Sequence, residues 1–95
     1  MPILQIEHQI ADYAGWKRAF DSDPINRKKS GVTRYEIFRP VDNPHYVVIN
    51  LYFNSADEAE ATHSALQQLW FKVEGTVIQN PKSRILEMVE TMELH

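Results

Sequence analysis

The spacing of apolar positions changes several times along the chain, and each change marks an element. Residues 3–10, ILQIEHQI, alternate: Leu4, Ile6, His8 and Ile10 share one face, and Ile3, Gln5, Glu7 and Gln9 share the other. A period of two is that of a strand, here with one apolar and one polar-looking side. The spacing then lengthens. Tyr13, Trp16, Ala19 and Phe20 fall close to the i, i+3, i+7 template of an amphipathic helix, with Lys17, Arg18 and Asp21 on the solvated side. Asp12 stands where a cap is needed, since a short carboxylate before the first turn accepts from an orphan backbone N–H. Gly15 costs such a helix about 1 kcal/mol against Ala. Close packing or a loosely wound first turn has to account for it.

In SDPINRKKSG, residues 22–31, Asp23 can cap, Pro24 fits a first helical position and Gly31 fits the left-handed position just past an end. This predicts a second short helix or a kinked continuation of the first. Arg27, Lys28 and Lys29 would then lie toward the negative end of its dipole, where cations are favoured. The run reads as a solvated, dipole-matched face, with an anion-binding patch as the alternative.

Residues 32–39, VTRYEIFR, and 46–53, YVVINLYF, are rich in β-branched and aromatic residues and flank the turn cluster PVDNPH. They predict a hairpin with a longer loop. The second run is apolar on both faces except at Asn50, which suits a central strand covered on both sides. Ser55 and Glu58 then have capping-box spacing, and Ala59, Thr62, Leu66, Leu69, Trp70 and Val73 follow a heptad-like pattern. A second, longer amphipathic helix follows. After a loop containing Gly75 and Pro81, SRILEMVETM, residues 83–92, predicts a final strand.

Strand, helix, two strands, helix, strand is the βαββαβ order of ferredoxin-like α+β folds. Right-handed crossovers place both helices on one face of a four-stranded antiparallel sheet. Either Tyr46, Val48 and Tyr52 or Val47, Ile49, Leu51 and Phe53 must then point away from the helices. An apolar face left in water is covered most simply by a second copy, sheet against sheet. The tail beyond Val89 has the length to run along the partner's sheet.

Ninety-five residues with 43% hydrophobic and 11% aromatic content predict one domain over 1–95, enough for a single core layer. A deep pocket would consume much of such a core, so a ligand site belongs under a helix or at a subunit boundary. A net charge of −3, with both signs interspersed, offers no basic face for nucleic acid. With no cysteine there is no disulfide, thiolate metal site or thiol nucleophile. No segment reaches the roughly 18–20 apolar residues of a membrane span, and MPILQIEHQIADY lacks a basic region before a long apolar run. A cytoplasmic location is the default expectation.

Signatures of common catalytic machinery are missing: there is no Gly-rich phosphate loop, no H-E-x-x-H and no G-x-S-x-G. His8, His45, His63 and His95 form no HxH or HxxxH pair, so no metal site is expected. His8 shares a strand face with Leu4, Ile6 and Ile10, where burial would shift its pKa. It reads first as a satisfied core histidine and second as a functional one. Asn50 needs partners on a central strand, from a neighbouring side chain or a second copy. His63, one step from the helix seam, reads as partly exposed. Trp16 and Trp70 read as core closures, and alternatively as cavity walls.

The stretches DYAGWKRAFDSDP, RKKSGV, RPVDNPHYVVINLYF, EAEA ahead of LW, and P..RILE.VE together resemble a group of small bacterial proteins without an assigned reaction. That group falls in the dimeric α/β-barrel superfamily, which contains the antibiotic biosynthesis monooxygenase (ABM) domain and the haem-degrading monooxygenases. The resemblance spans nearly the whole chain and implies a βαββαβ protomer that forms a homodimer. The superfamily's cofactor-free monooxygenases hold an oxidisable aromatic substrate between helices and sheet with Trp, Asn and His. Trp16, Asn50, His63 and Trp70 are residues of those types in suitable elements. The resemblance thus implies a monooxygenase or related enzyme acting on a small aromatic molecule without cofactor. A non-catalytic ligand-binding or structural dimer is the alternative. Haem binding or degradation ranks last: His63 offers a second-helix ligand, but Gln5 or Gln9 would have to replace a first-strand Asn.

Overall fold

A computed structural model describes residues 1–73 and 79–94. Gly75 and His95 lie outside the described residues, as does the side chain of Val73. The elements are β1 (Pro2–Gln9), α1 (Tyr13–Asp21), β2 (Val32–Phe38), β3 (Tyr46–Phe53), α2 (Ala56–Val73) and β4 (Gln79–Glu87). They build one sheet in the order β2-β3-β1-β4 with every neighbouring pair antiparallel. The predicted ferredoxin-like α+β architecture is the observed one.

Local signals explain the helix boundaries. Asp12 is extended, and its carboxylate accepts from the Gly15 N–H at 2.9 Å. A Cβ at Gly15 would come within 2.9 Å of that same carboxylate, so the glycine serves close packing against the cap. Ahead of α2, the Ser55 hydroxyl accepts from the Glu58 N–H at 3.2 Å and donates to the Glu58 carboxylate at 3.1 Å. Gly31, at φ +99°, lies directly against the Glu58 side chain, in a space and a conformation that only glycine fits.

Neither the predicted second short helix nor a kinked continuation of α1 forms in residues 22–31. Residues 22–31 make a succession of turns, because Asp23 (φ 55°) and Asn26 (φ 52°) adopt the left-handed conformation, which an α-helix cannot contain. The Asp23 carboxylate accepts from the Arg27 N–H at 2.8 Å, closing a turn rather than capping a helix. The last strand also differs, beginning at Gln79 and ending at Glu87 instead of spanning 83–92. Its end is set by the strand it pairs with: Glu87 lies opposite Pro2, where β1 begins. Its start takes in Pro81, which an edge strand tolerates, opposite an irregularity between Glu7 and Gln9.

The core lies between the sheet and the helices. Leu4, Ile6 and His8 of β1, Ile10 just past its end, and Val47, Ile49, Leu51 and Phe53 of β3 are buried there, beneath Trp16, Ala59, Thr62 and Leu66. Tyr46, Val48, Asn50 and Tyr52 therefore occupy the opposite, uncovered face. There Asn50 accepts from Gln5 at 3.1 Å and donates to Glu36 at 3.4 Å, while the Tyr52 hydroxyl donates to the same Glu36 oxygen at 2.7 Å. Arg84 reaches Gln5 at 3.1 Å, so the chain of polar contacts crosses all four strands. The Tyr52 hydroxyl, helped by Asn50 and Arg34, holds the Glu36 carboxyl below the usual range.

Candidate functional site

The two helices meet the sheet differently. α2 runs close to β1, β3 and β4, whereas the α1 backbone makes no comparable approach to any element. Bulky side chains hold α1 away. Trp16 is buried, and Tyr13 and Phe20 pack beside it with ring centroids 5.7 and 5.2 Å from its own. Short side chains such as Ala19 leave space between these props. The result is a cavity of about 270 Å³ between α1, the 22–27 turns, the sheet and the far end of α2.

Ile6, Ile49, Leu51, Leu66 and Leu69 make most of this cavity apolar, and His8, Trp16 and Trp70 also line it. His8 Nδ1 lies 3.2 Å from the Gln9 carbonyl. A carbonyl only accepts, so Nδ1 carries the proton and Nε2 keeps its lone pair. That nitrogen has no partner among the described residues. Burial lowers the His8 pKa by disfavouring the charged ring, against the smaller pull of the Gln9 carbonyl. The neutral imidazole is thus the resting form near pH 7. Its ring centroid lies 6.0 Å from that of Trp16.

The Trp16 indole N–H likewise has no partner among the described residues, yet no buried side-chain nitrogen or oxygen among them is left unsatisfied. The N–H therefore reaches solvent-accessible space. The residues lining the cavity thus include one with an unpartnered acceptor, His8, and one with an unpartnered donor, Trp16, among mostly apolar side chains, which is the pattern of small-molecule sites.

Of the five candidate residues, His8, Trp16 and Trp70 come together here. Asn50 and His63 do not. Asn50 is on the uncovered face, bonded to Gln5 and Glu36 as described, because the strand period puts it opposite Ile49 and Leu51. His63 projects from α2 toward β4, where its Nε2 meets the Ser83 hydroxyl at 2.5 Å. The nitrogen that a haem-ligating role would use is thereby engaged. His45 is exposed, with Nδ1 3.0 Å from the Ala11 carbonyl. Among the described residues no three His, Asp or Glu side chains converge to hold a metal ion.

Arg27, expected on a solvated basic face with an anion-binding patch as the alternative, is placed differently by the structure. In the expected helix it belonged to a solvated basic face. In the turns it swings over α1, its guanidinium 4.0 Å from the Phe20 ring centroid and 5.2 Å from that of Tyr35, and it lines the cavity. The signal was present in Asp23 and Asn26, both residues that tolerate left-handed turns.

No family model matches the chain, and no curated protein matches it either. Solved structures do. SnoaB, a cofactor-independent oxygenase from Streptomyces nogalater, superposes with TM-score 0.68 at 12% identity, over 96% of this chain and 95% of that one. A candidate antibiotic biosynthesis monooxygenase from Nitrosomonas europaea gives TM-score 0.60 at 16% identity, over 95% and 100%. A dimeric ferredoxin-like protein from an uncultured marine organism gives 0.65 at 12%, over 96% and 97%. The chain shares the ferredoxin-like fold of these structures. At such identities the likeness is one of fold. Within the described residues no helix is long and apolar enough to cross a membrane.

Proposed function

We propose that the protein is a homodimer whose protomers each bind a small aromatic molecule beneath α1 and oxygenate it without a cofactor. One observation carries this reading: a cavity of about 270 Å³ that sets the His8 imidazole and the Trp16 indole into apolar walls. A volume at the lower edge of small-molecule pockets suits a ligand of one or two rings. The fold of an oxygenase that is itself cofactor-independent adds support. In this reading neutral His8 accepts the proton of a phenolic hydroxyl, the Trp16 N–H orients the resulting oxyanion, and the apolar walls exclude water. The electron-rich ring then takes up dioxygen, keeping one oxygen atom as a quinone oxygen and losing the other as water.

Dimerisation would use the uncovered face. Phe38 and Met88 are exposed, and Val48 and Leu86 are half-buried beside the polar contacts. The dimeric ferredoxin-like neighbour supports this assembly. Sedimentation at micromolar concentration should give a dimer, and a monomer would remove that part of the proposal.

The test of the site uses 1-naphthol. Quenching of tryptophan fluorescence reports binding near Trp16 and Trp70, and an oxygen electrode reports consumption with formation of 1,4-naphthoquinone. His8→Phe should abolish uptake while quenching persists. Quenching without oxygen uptake in the unaltered protein identifies a binding module instead of an enzyme.

A further inference from the structure

The cavity wall has a chemical direction. His8 stands at one position along it, Trp16 lies next with ring centroids 6.0 Å apart, Phe20 follows at 5.2 Å from Trp16, and the Arg27 guanidinium covers Phe20 at 4.0 Å. A neutral acceptor and a cation are thus separated by two aromatic rings. Among the described lining residues Arg27 is the only one with a permanent charge.

Its charge is weakly compensated. The Arg27 side chain is only 16% exposed, so water cannot solvate it fully. Its one short hydrogen bond, 2.7 Å from Nη1, goes to the Phe20 carbonyl, a neutral acceptor. The nearest carboxylate is Asp23, 3.5 Å from the same Nη1, and that oxygen already accepts from the Arg27 backbone N–H. Nε and Nη2 have no partner among the described residues. A half-buried guanidinium set over a ring, with N–H groups to spare, matches a planar carboxylate in two-pronged geometry. The Phe20 and Tyr35 rings and the bond to the Phe20 carbonyl hold it in place, which reduces the ordering cost of binding.

We propose that the natural ligand of this cavity is an aromatic carboxylate, its acid group paired with Arg27 and its ring system lying along Trp16 and Phe20 toward His8. The inference rests on the cavity being the ligand site and adds the chemical class that it selects. A phenolic hydroxyl at the end of the molecule remote from the acid would then meet His8 Nε2. Asp23 is the internal competitor that the ligand's carboxylate displaces.

A matched pair of probes tests this directly: 6-hydroxy-2-naphthoate and its methyl ester, equal in ring system and differing in charge. Titration calorimetry on the unaltered protein should show the acid binding about tenfold tighter or more, as hydrogen bonds to a charged group imply. Arg27→Met, checked for folding by circular dichroism, should bring the acid-to-ester ratio close to one. Arg27→Lys should leave an intermediate ratio, since a point charge lacks the fork. Equal binding of acid and ester to the unaltered protein overturns the proposal and leaves the cavity reading standing. Binding of neither probe overturns both. The comparison on the unaltered protein decides the matter even where a variant fails to fold.

Discussion

The two helices cover the same side of the sheet by opposite means. α2 lays small side chains on the strands: Ala59 and Thr62 are buried, Thr62 reaches the Ser30 carbonyl at 3.4 Å, and the helix comes down close to β1, β3 and β4. α1 presents Tyr13, Trp16 and Phe20, which touch the core while their length keeps the backbone away. Close-packed interiors propagate side-chain size into element spacing. Large residues at a helix seam can therefore create space instead of filling it, when they act as props and a residue such as Ala19 stands between them. The cavity lies under the propped helix.

Removing the main prop should have the largest effect. Trp16→Ala is expected to cost about 3–5 kcal/mol, read from the midpoint of urea denaturation. A loss of less than about 1 kcal/mol would mean that α1 docks by other contacts. Next comes the contrast between the seams. Ala59→Leu should destabilise by about 1–3 kcal/mol because α2 has no room beneath it. Ala19→Leu, on the cavity wall, should change stability by no more than about 0.5 kcal/mol and weaken naphthol binding. Similar costs at both positions would contradict the difference in helix seating.

The caps come third. Ser55→Ala should cost about 1 kcal/mol, and Asp12→Ala somewhat less, since the Asp12 bond is exposed and the Ser55 bond partly buried. Thermal unfolding of the two single variants measures the difference. The smallest effect is a pH dependence from His8. Its folded pKa lies below the unfolded value of about 6.5, so within that window the unfolded chain binds more protons. The associated stability is complete above the unfolded pKa and is lost as pH falls through the folded one. Denaturation midpoints between pH 7 and pH 5 should fall, and less steeply in His8→Phe.

Much of the fold was legible because its signals are local. The alternation of residues 3–10, the Asp12 and Ser55 caps, and the glycine past residue 30 each depend on a few neighbours. The length of β4 was not, since it is set by where Pro2 begins its partner. The site was partly legible. His8 and Trp16 belong to patterns with a clear apolar face, so their burial followed from periodicity. Asn50 was identified as an amide needing partners, and the pairing of β1, β2 and β3 supplied them on the uncovered face. Arg27 was misplaced because the composition of residues 22–31 suits both a capped helix and a run of turns. A backbone choice at Asp23 and Asn26 decides between the two.

By itself the sequence determined the order of the four strands and of α1 and α2, the apolar faces of β1 and of those two helices, and where α1 and α2 start, all of which follow from periods of 2 and 3.6 and from capping chemistry. Which face of the sheet carries Asn50, how far α1 stands from the strands, and that Arg27 closes over Phe20 were decided by tertiary structure. Each of these depends on groups far apart in the chain, and only packing brings them within bonding distance.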